Sequence, residues 1–195
     1  MATTSNQWKE YEVAQMLVVA RKQLAYAEFI AKYPAGAGKK DFDLTSPLDL
    51  FYRNVCSLSA QDGLLMLGSL VSEDDRVMSF WNWTDYVNVR KIELQALTDK
   101  FNTNGLKTVR DQVVAHQDSN NRNNNFIFSR RLGINLNLIE LMRDFLQELI
   151  SEFYSYSNTK TPIFSPDYFD AGDAYREIEA VFSLAEPTLT NNHII

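Results

Sequence analysis

Two residues in the middle of the chain, Arg110 and His116, have side chains suited to phosphodiester chemistry. Arginine is always cationic and presents a fork of donors that matches a phosphate group. Histidine has an unperturbed pKa that suits proton transfer near neutral pH. The spacing of apolar residues over 106–117 predicts a short helix that carries both residues, just before an asparagine-rich loop at 118–125. The sequence therefore predicts a functional site in this segment.

The six-residue separation of Arg110 and His116 sets their geometry on the predicted helix. Six positions along an ideal helix rotate by about 600°, which leaves the two side chains about 120° apart. We expect them to flank one groove rather than to lie on a single face. A two-fold partner brings a second copy of each side chain to the same cleft, so a homodimer is expected.

The heptapeptide Arg110-Asp111-Gln112-Val113-Val114-Ala115-His116 fits the R-x(4-6)-H motif and resembles the HEPN superfamily of all-helical domains. The acid directly after the arginine fits as well, because that position in the family is typically polar. With Asp118 included, the segment looks like the branch associated with bacterial abortive infection. In that branch an upstream helix also carries an arginine, which Arg53 matches here. The resemblance covers roughly residues 7–156.

This resemblance implies a metal-independent endoribonuclease that acts in prokaryotic antiphage defence or in a toxin–antitoxin system. In active members the RNA 2′-hydroxyl attacks the adjacent phosphate, which leaves a 2′,3′-cyclic phosphate and a 5′-hydroxyl end. His116 would then transfer the proton and Arg110 would stabilise charge on the phosphoryl oxygens. Asp111 and Asp118 would support them. The family commonly builds a composite site across a dimer, and an antitoxin or another defence protein is a further expected partner.

The alternative is a catalytically silent HEPN-like helical module that binds a partner protein or a nucleotide. In that case Arg110 would pair with a carboxylate at a helix end, and His116 would cap the following loop through backbone carbonyls. Position 118 also departs from one group of HEPN toxins, which carry tyrosine where this chain has Asp118. Regulation through modification of that tyrosine is therefore not expected.

The formal net charge of -6 argues against a protein that coats nucleic acid nonspecifically, because such binding needs many contacts from lysine and arginine to phosphates. Any RNA site must be local. The segment 100–131 is mainly positive, and its candidate RNA-binding residues are Lys107, Arg122, Arg130 and Arg131. Scattered solvated charge is an equally good interpretation of the same residues.

The sequence supports neither a metal site nor a cofactor site. With Cys56 as the only cysteine and one internal histidine, a metal site would have to be rich in carboxylates, and no Glu/His pair falls at i, i+3 or i, i+4. The segment 36–40 superficially resembles a phosphate-binding loop, but it lacks the required spacing and follows a helix. Cys56 is predicted to be a buried thiol, which fits a reducing cytoplasm. Without an export pattern or an apolar run that could cross a bilayer, we expect a cytoplasmic protein with no membrane partner.

Apolar periodicity predicts an all-α fold, an HEPN-like antiparallel bundle of long helices with an extra C-terminal helix. Ser46 is the predicted N-cap of the second helix, and Pro47 takes its first position. The predicted helices span 6–33, 47–71, 72–81, 84–101, 106–117 and 135–156. We expect one helical domain over 1–160, followed over 161–195 by a linker, an acidic amphipathic helix at 173–184 and a frayed tail. This C-terminal part is expected to pack on the same domain or on a partner.

Overall fold

The computed structural model describes residues 3–36, 38–41, 43, 45–118 and 136–157, together with the single positions Arg176 and Ala180. Helices dominate these residues, and none of them lies in a strand. The helices are α1 (Thr3–Gly36), α2 (Pro47–Leu70), α3 (Thr84–Thr103), α4 (Leu106–Asp118) and α5 (Leu136–Ser157), with a 3₁₀ turn at Phe80–Asn82. The predicted all-α class is confirmed for the described part of the chain.

Helices α1 and α2 form an antiparallel pair. The rings of Tyr33 and Tyr52 meet edge to face with centroids 5.0 Å apart, and further along the pair Cys56 Sγ lies 3.2 Å from the carbonyl oxygen of Ala27. From the first of these contacts to the second, the residue number falls on α1 and rises on α2. The two helices therefore run in opposite directions. Cys56 is a buried free thiol, as predicted.

The start of α2 follows the predicted capping chemistry. Ser46 Oγ accepts a hydrogen bond from the backbone N–H of Asp49, and Pro47 occupies the first helical turn. The buried carboxylate of Asp49 accepts from Lys39 Nζ at 2.9 Å and from the backbone N–H of Asp43 at 2.7 Å. Lys39 belongs to the glycine-rich segment at 36–40, and its contact with Asp49 holds the loop between α1 and α2 against the start of α2.

The predicted third helix, starting at Ser72, is wrong. Ser72 Oγ accepts from the backbone N–H of Asp74, and the Asp74 carboxylate accepts from both the backbone and the guanidinium of Arg76. Asn82 Nδ2 donates to the carbonyl oxygens of Asp74 and Val77. Short polar side chains that cap helices also close turns, and here they bind the backbone of a loop instead. Regular structure in this stretch is confined to the 3₁₀ turn.

Helices α3 and α5 also run antiparallel, and aromatic side chains fill the space between them. The ring of Trp83 lies 4.9 Å from that of Tyr156, whereas at the other end Phe101 lies 5.6 Å from Phe145. All four rings are buried. These four aromatic residues are therefore part of the hydrophobic core.

The other predicted helix boundaries are close to those observed. Helix α1 begins three residues before its predicted start and continues through Pro34 to Gly36, three residues beyond its predicted end. The ends of α2, α3, α4 and α5 differ from their predictions by at most two residues. The predicted C-terminal part at 161–195 lies outside the described residues, apart from the helical positions Arg176 and Ala180. Within the described ranges, none of the helices combines the length and apolarity needed to cross a membrane.

Candidate functional site

A tight turn places α4 against α2 and α3. Gly105 has a φ of 93°, in the left-handed region that favours glycine. The side-chain oxygen of Asn104 accepts a hydrogen bond from the backbone N–H of Leu106, and the Leu106 side chain is buried. The turn joins α3 directly to α4, and α4 packs on both α2 and α3.

Arg110 is held between side chains of two other helices. Its guanidinium carbon lies 5.7 Å from the centroid of the Phe101 ring on α3, within the range of a cation–π interaction. On α2, Gly68 faces the aliphatic part of the same side chain, because a Cβ built on Gly68 would stand 2.5 Å from Arg110 Cδ. About a quarter of the Arg110 side chain, 26%, stays exposed. The arginine is therefore supported from two sides and still reaches solvent.

Asp111 binds one edge of the Arg110 guanidinium. Its Oδ1 accepts from Arg110 Nε at 3.0 Å and from Nη2 at 2.6 Å, while its Oδ2 accepts from Lys107 Nζ. Hydrogen bonds from Lys107 and Arg110 hold the pKa of Asp111 below its ordinary value, so the carboxylate is charged at neutral pH. Arg110 Nη1 donates no hydrogen bond within the described part of the chain. This atom lies on the side of the guanidinium that faces Gly68 of α2.

His116 lies on α4, as predicted, whereas Asp118, which was predicted to begin the loop, is the last residue of the helix. The backbone places His116 about 9 Å beyond Arg110 along the helix axis, from a rise of about 1.5 Å per residue. The side chains of both residues lie outside the described part of the structure. The roles predicted for them stay predictions.

The predicted RNA-binding residues are only partly described. Lys107 forms an ion pair with Asp111, and about half of each side chain is exposed. Lys100, from the same positive segment, pairs with Glu148 of α5. Outside the described residues lie Arg122, Arg130 and Arg131. Contact of this surface with RNA therefore stays a prediction, and the described lysines are already partly neutralised by carboxylates.

Arg53, the upstream arginine matched to the HEPN pattern, is not brought to Arg110. It lies on α2, fifteen positions before the Gly68 that contacts Arg110, which corresponds to about 22 Å along the helix axis. Its side chain is partly buried in a different part of the bundle. The structure therefore separates these two arginines.

Other chemistry has little support among the described residues. They contain no group of three or more His, Cys, Asp or Glu side chains that could hold a metal ion. Burial raises the pKa of the Cys56 thiol to about 12, so this residue is not a nucleophile near neutral pH.

Two residues that contact the Arg110 side chain, Gly68 and Phe101, were not predicted from the sequence. A glycine inside an apolar helical segment often marks a close approach of another group, and that pattern was present at Gly68.

Comparisons of the chain with protein-family models, with curated proteins and with solved structures find no match. The family of the chain is therefore a proposal that depends on the Arg110–His116 motif and on the geometry around Arg110.

Proposed function

We propose that this chain is a metal-independent endoribonuclease of the HEPN type that acts in prokaryotic antiphage defence or in a toxin–antitoxin system. The observation that carries the proposal is the fixed guanidinium of Arg110, which Asp111 and Phe101 hold on the helix that also carries His116. A cation held in place before the reaction stabilises developing charge without further reorganisation. Its partners in this role are RNA, a second copy of the chain and an antitoxin or another defence protein.

The proposed reaction needs two proton transfers and one cation. The RNA 2′-hydroxyl loses its proton and its oxygen attacks the adjacent phosphorus. The bond to the 5′-oxygen of the next nucleotide breaks, and that oxygen takes up a proton. His116 removes or returns these protons, and the Nη1–Nη2 edge of Arg110 donates to the non-bridging phosphoryl oxygens. The products are a 2′,3′-cyclic phosphate and a 5′-hydroxyl end.

The remaining polar residues of α4 have supporting roles in this proposal. Asp111 orients the guanidinium, Asp118 lies two positions beyond the histidine, and Lys107 contributes positive charge at the helix surface. Arg122, Arg130 and Arg131 extend the contact with RNA. Since Arg110 and His116 are about 120° apart around α4, the complete cleft is proposed to form across a homodimer.

The deciding experiment is RNA cleavage by the purified protein in EDTA. Cleavage should persist and give cyclic-phosphate ends. Arg110→Ala and His116→Ala should each reduce it by about a hundredfold or more while the helical circular dichroism is retained. Arg76→Ala is the matched control, because Arg76 is an exposed arginine paired with Asp74 in the loop after α2. It should cleave like the wild type.

Three outcomes would separate the parts of this proposal. Loss of cleavage in EDTA would contradict the metal-independent mechanism. Cleavage that survives both Arg110→Ala and His116→Ala would contradict the site. A well-folded wild-type protein that cleaves no RNA would favour the silent HEPN-like module instead.

A further inference from the structure

We propose that Gly68 of α2 is a positioning residue for Arg110, a role that rests on the ribonuclease function proposed above. Gly68 is a buried residue in the last turn of α2, two positions before the helix ends at Leu70, and alanine would favour the helix there. A glycine at such a position indicates that another group approaches the backbone closely. That group is the Arg110 side chain, which crosses α2 at the point where a side chain is missing.

The distances leave no room for a methyl group at position 68. A Cβ there would stand 2.5 Å from Arg110 Cδ, 3.2 Å from Arg110 Nη1 and 3.3 Å from Phe101 Cζ. Since ordinary van der Waals contact begins at 3.4 Å, Arg110 Cδ would have to move by about 0.9 Å. Cδ is bonded to Nε, which donates to Asp111 Oδ1 at 3.0 Å, so the displacement would carry the guanidinium away from its carboxylate.

Phe101 limits the directions in which Arg110 can move. The Phe101 ring is fully buried and packs on Phe145 of α5, with centroids 5.6 Å apart. Its position is therefore set by the core and not by the site. The ring also lies beside the added methyl group, with Cζ 3.3 Å from the Cβ position, so the ring cannot give way. Arg110 must therefore move, and it either leaves its position over Phe101 or loses its bond to Asp111. Displacement of about 1 Å at a reacting centre can reduce a rate by about a hundredfold.

Gly63 provides a matched control on the same helix. A Cβ on Gly63 would stand 2.6 Å from Leu24 Cδ2 and 2.9 Å from Leu24 Cγ, on the face of α2 that packs against α1. Gly63→Ala therefore introduces the same methyl group with a similar steric clash, but against an apolar side chain. It measures the general cost of overpacking α2, whereas Gly68→Ala adds the displacement of Arg110.

The experiment compares kcat and KM for RNA cleavage in the full-length wild type, Gly68→Ala and Gly63→Ala, at a temperature where circular dichroism shows all three to be folded. Gly68→Ala should lower kcat by about a hundredfold, and Gly63→Ala by less than about threefold. A second readout needs no RNA. The Nε–Hε resonance of Arg110, assigned by its loss in Arg110→Lys, should move in Gly68→Ala and stay in place in Gly63→Ala.

Equal cleavage by the two alanine variants, or an Arg110 resonance that does not move in Gly68→Ala, would overturn the positioning role. If the wild type cleaves no RNA, the proposed function fails, and the resonance still decides whether Gly68 positions Arg110. If Gly68→Ala is too unstable to assay, thermal unfolding of Gly68→Ala/Arg110→Ala is compared with that of Arg110→Ala. Gly68→Ala should lower the melting temperature less in the Arg110→Ala background than in the wild type. An equal loss in both backgrounds would contradict the contact between Gly68 and Arg110.

Discussion

Arg143 of α5 donates a hydrogen bond from Nη1 to Oε1 of Glu28 on α1, across 2.9 Å and 115 positions of sequence. The Glu28 carboxylate is buried and also accepts from Lys32 Nζ at 2.6 Å. Burial raises the pKa of Glu28, but the hydrogen bonds and charges of Lys32 and Arg143 outweigh this effect, so its pKa lies below the ordinary value. A charged carboxylate therefore joins the first and the last described helices.

The first prediction concerns the stability that Glu28 provides. Because its pKa is lowered by folding, this stability is present above the unfolded-state pKa, near 4.5, and is lost as the pH falls through the folded-state pKa. Glu28→Gln should lower the free energy of unfolding by about 1–2 kcal/mol at neutral pH, and the difference from wild type should shrink in acid. Urea denaturation at neutral pH and at about pH 3.5 measures both effects.

Asp144→Asn is the control for Glu28→Gln, because Asp144 is the exposed partner of the same Arg143 guanidinium. Exposed ion pairs contribute little to stability, so this variant should unfold almost like the wild type. Similar losses in Asp144→Asn and Glu28→Gln would contradict the importance of the buried contact between α1 and α5.

The second prediction separates orientation of Arg110 from stability of the fold. Asp111→Asn removes the charge that holds the Arg110 guanidinium, and the Asp111 side chain is nearly half exposed. We expect a reduction of up to about a hundredfold in kcat for RNA cleavage, with little change in thermal unfolding. Lys107→Gln is the control for kcat: it removes the other partner of Asp111 and a proposed RNA contact, so it should raise KM and leave kcat almost unchanged. Full activity in Asp111→Asn would contradict the role of this carboxylate.

The ionisation of Asp111 also limits the pH dependence of cleavage. Its pKa is lowered, so the ion pair with Arg110 is kept at all pH values above the ordinary carboxyl range and is lost only as the pH falls through the folded-state pKa. An imidazole titrates at higher pH than this. If the His116 imidazole sets the acid limb of the pH–rate profile, the midpoint of that limb should be the same in Lys107→Gln as in the wild type. A midpoint that shifts in Lys107→Gln would show that Asp111 sets it instead, because the Lys107 hydrogen bond lowers the pKa of Asp111.

Rules for helix capping, which use only neighbouring residues, correctly predicted the start of α2. Ser46 and Pro47 start α2 because capping depends on groups only three positions apart. The same rules failed at Ser72, where Asp74 and Asn82 offered equivalent hydrogen bonds to a loop. A short polar residue before acidic residues does not by itself decide between a helix start and a turn.

The surroundings of Arg110 depend on tertiary packing and were not predicted. The motif on α4 identified Arg110, and its neighbour Asp111 was visible in the sequence. Phe101 and Gly68 reach Arg110 from α3 and α2, and no periodicity within one helix shows which residues of another helix it will meet.

The third prediction concerns the reactivity of Cys56. Its side chain is fully buried and its pKa is raised to about 12, whereas an ordinary thiol titrates near 8.5. At about pH 8 the native protein should react with a disulfide reagent about a thousandfold more slowly than the protein unfolded in urea. Lys91→Cys in a Cys56→Ala background supplies an exposed thiol on α3 as the control, which should react rapidly. Rapid labelling of native wild-type protein would contradict the burial of Cys56.

The fourth prediction concerns the composite cleft proposed for the homodimer. Arg110→Ala and His116→Ala chains are each expected to be inactive alone. In an equal mixture about half of the dimers are heterodimers, and each of these has one intact cleft, with arginine from one chain and histidine from the other. Remixing after reversible dissociation should therefore restore about a quarter of the wild-type cleavage rate. Mixing Arg110→Ala with the Arg110→Ala/His116→Ala double variant is the control, which should restore nothing because neither chain supplies the arginine. A mixture that stays inactive while the two chains exchange, or a protein that cleaves RNA as a monomer by light scattering, would contradict a cleft shared between two chains.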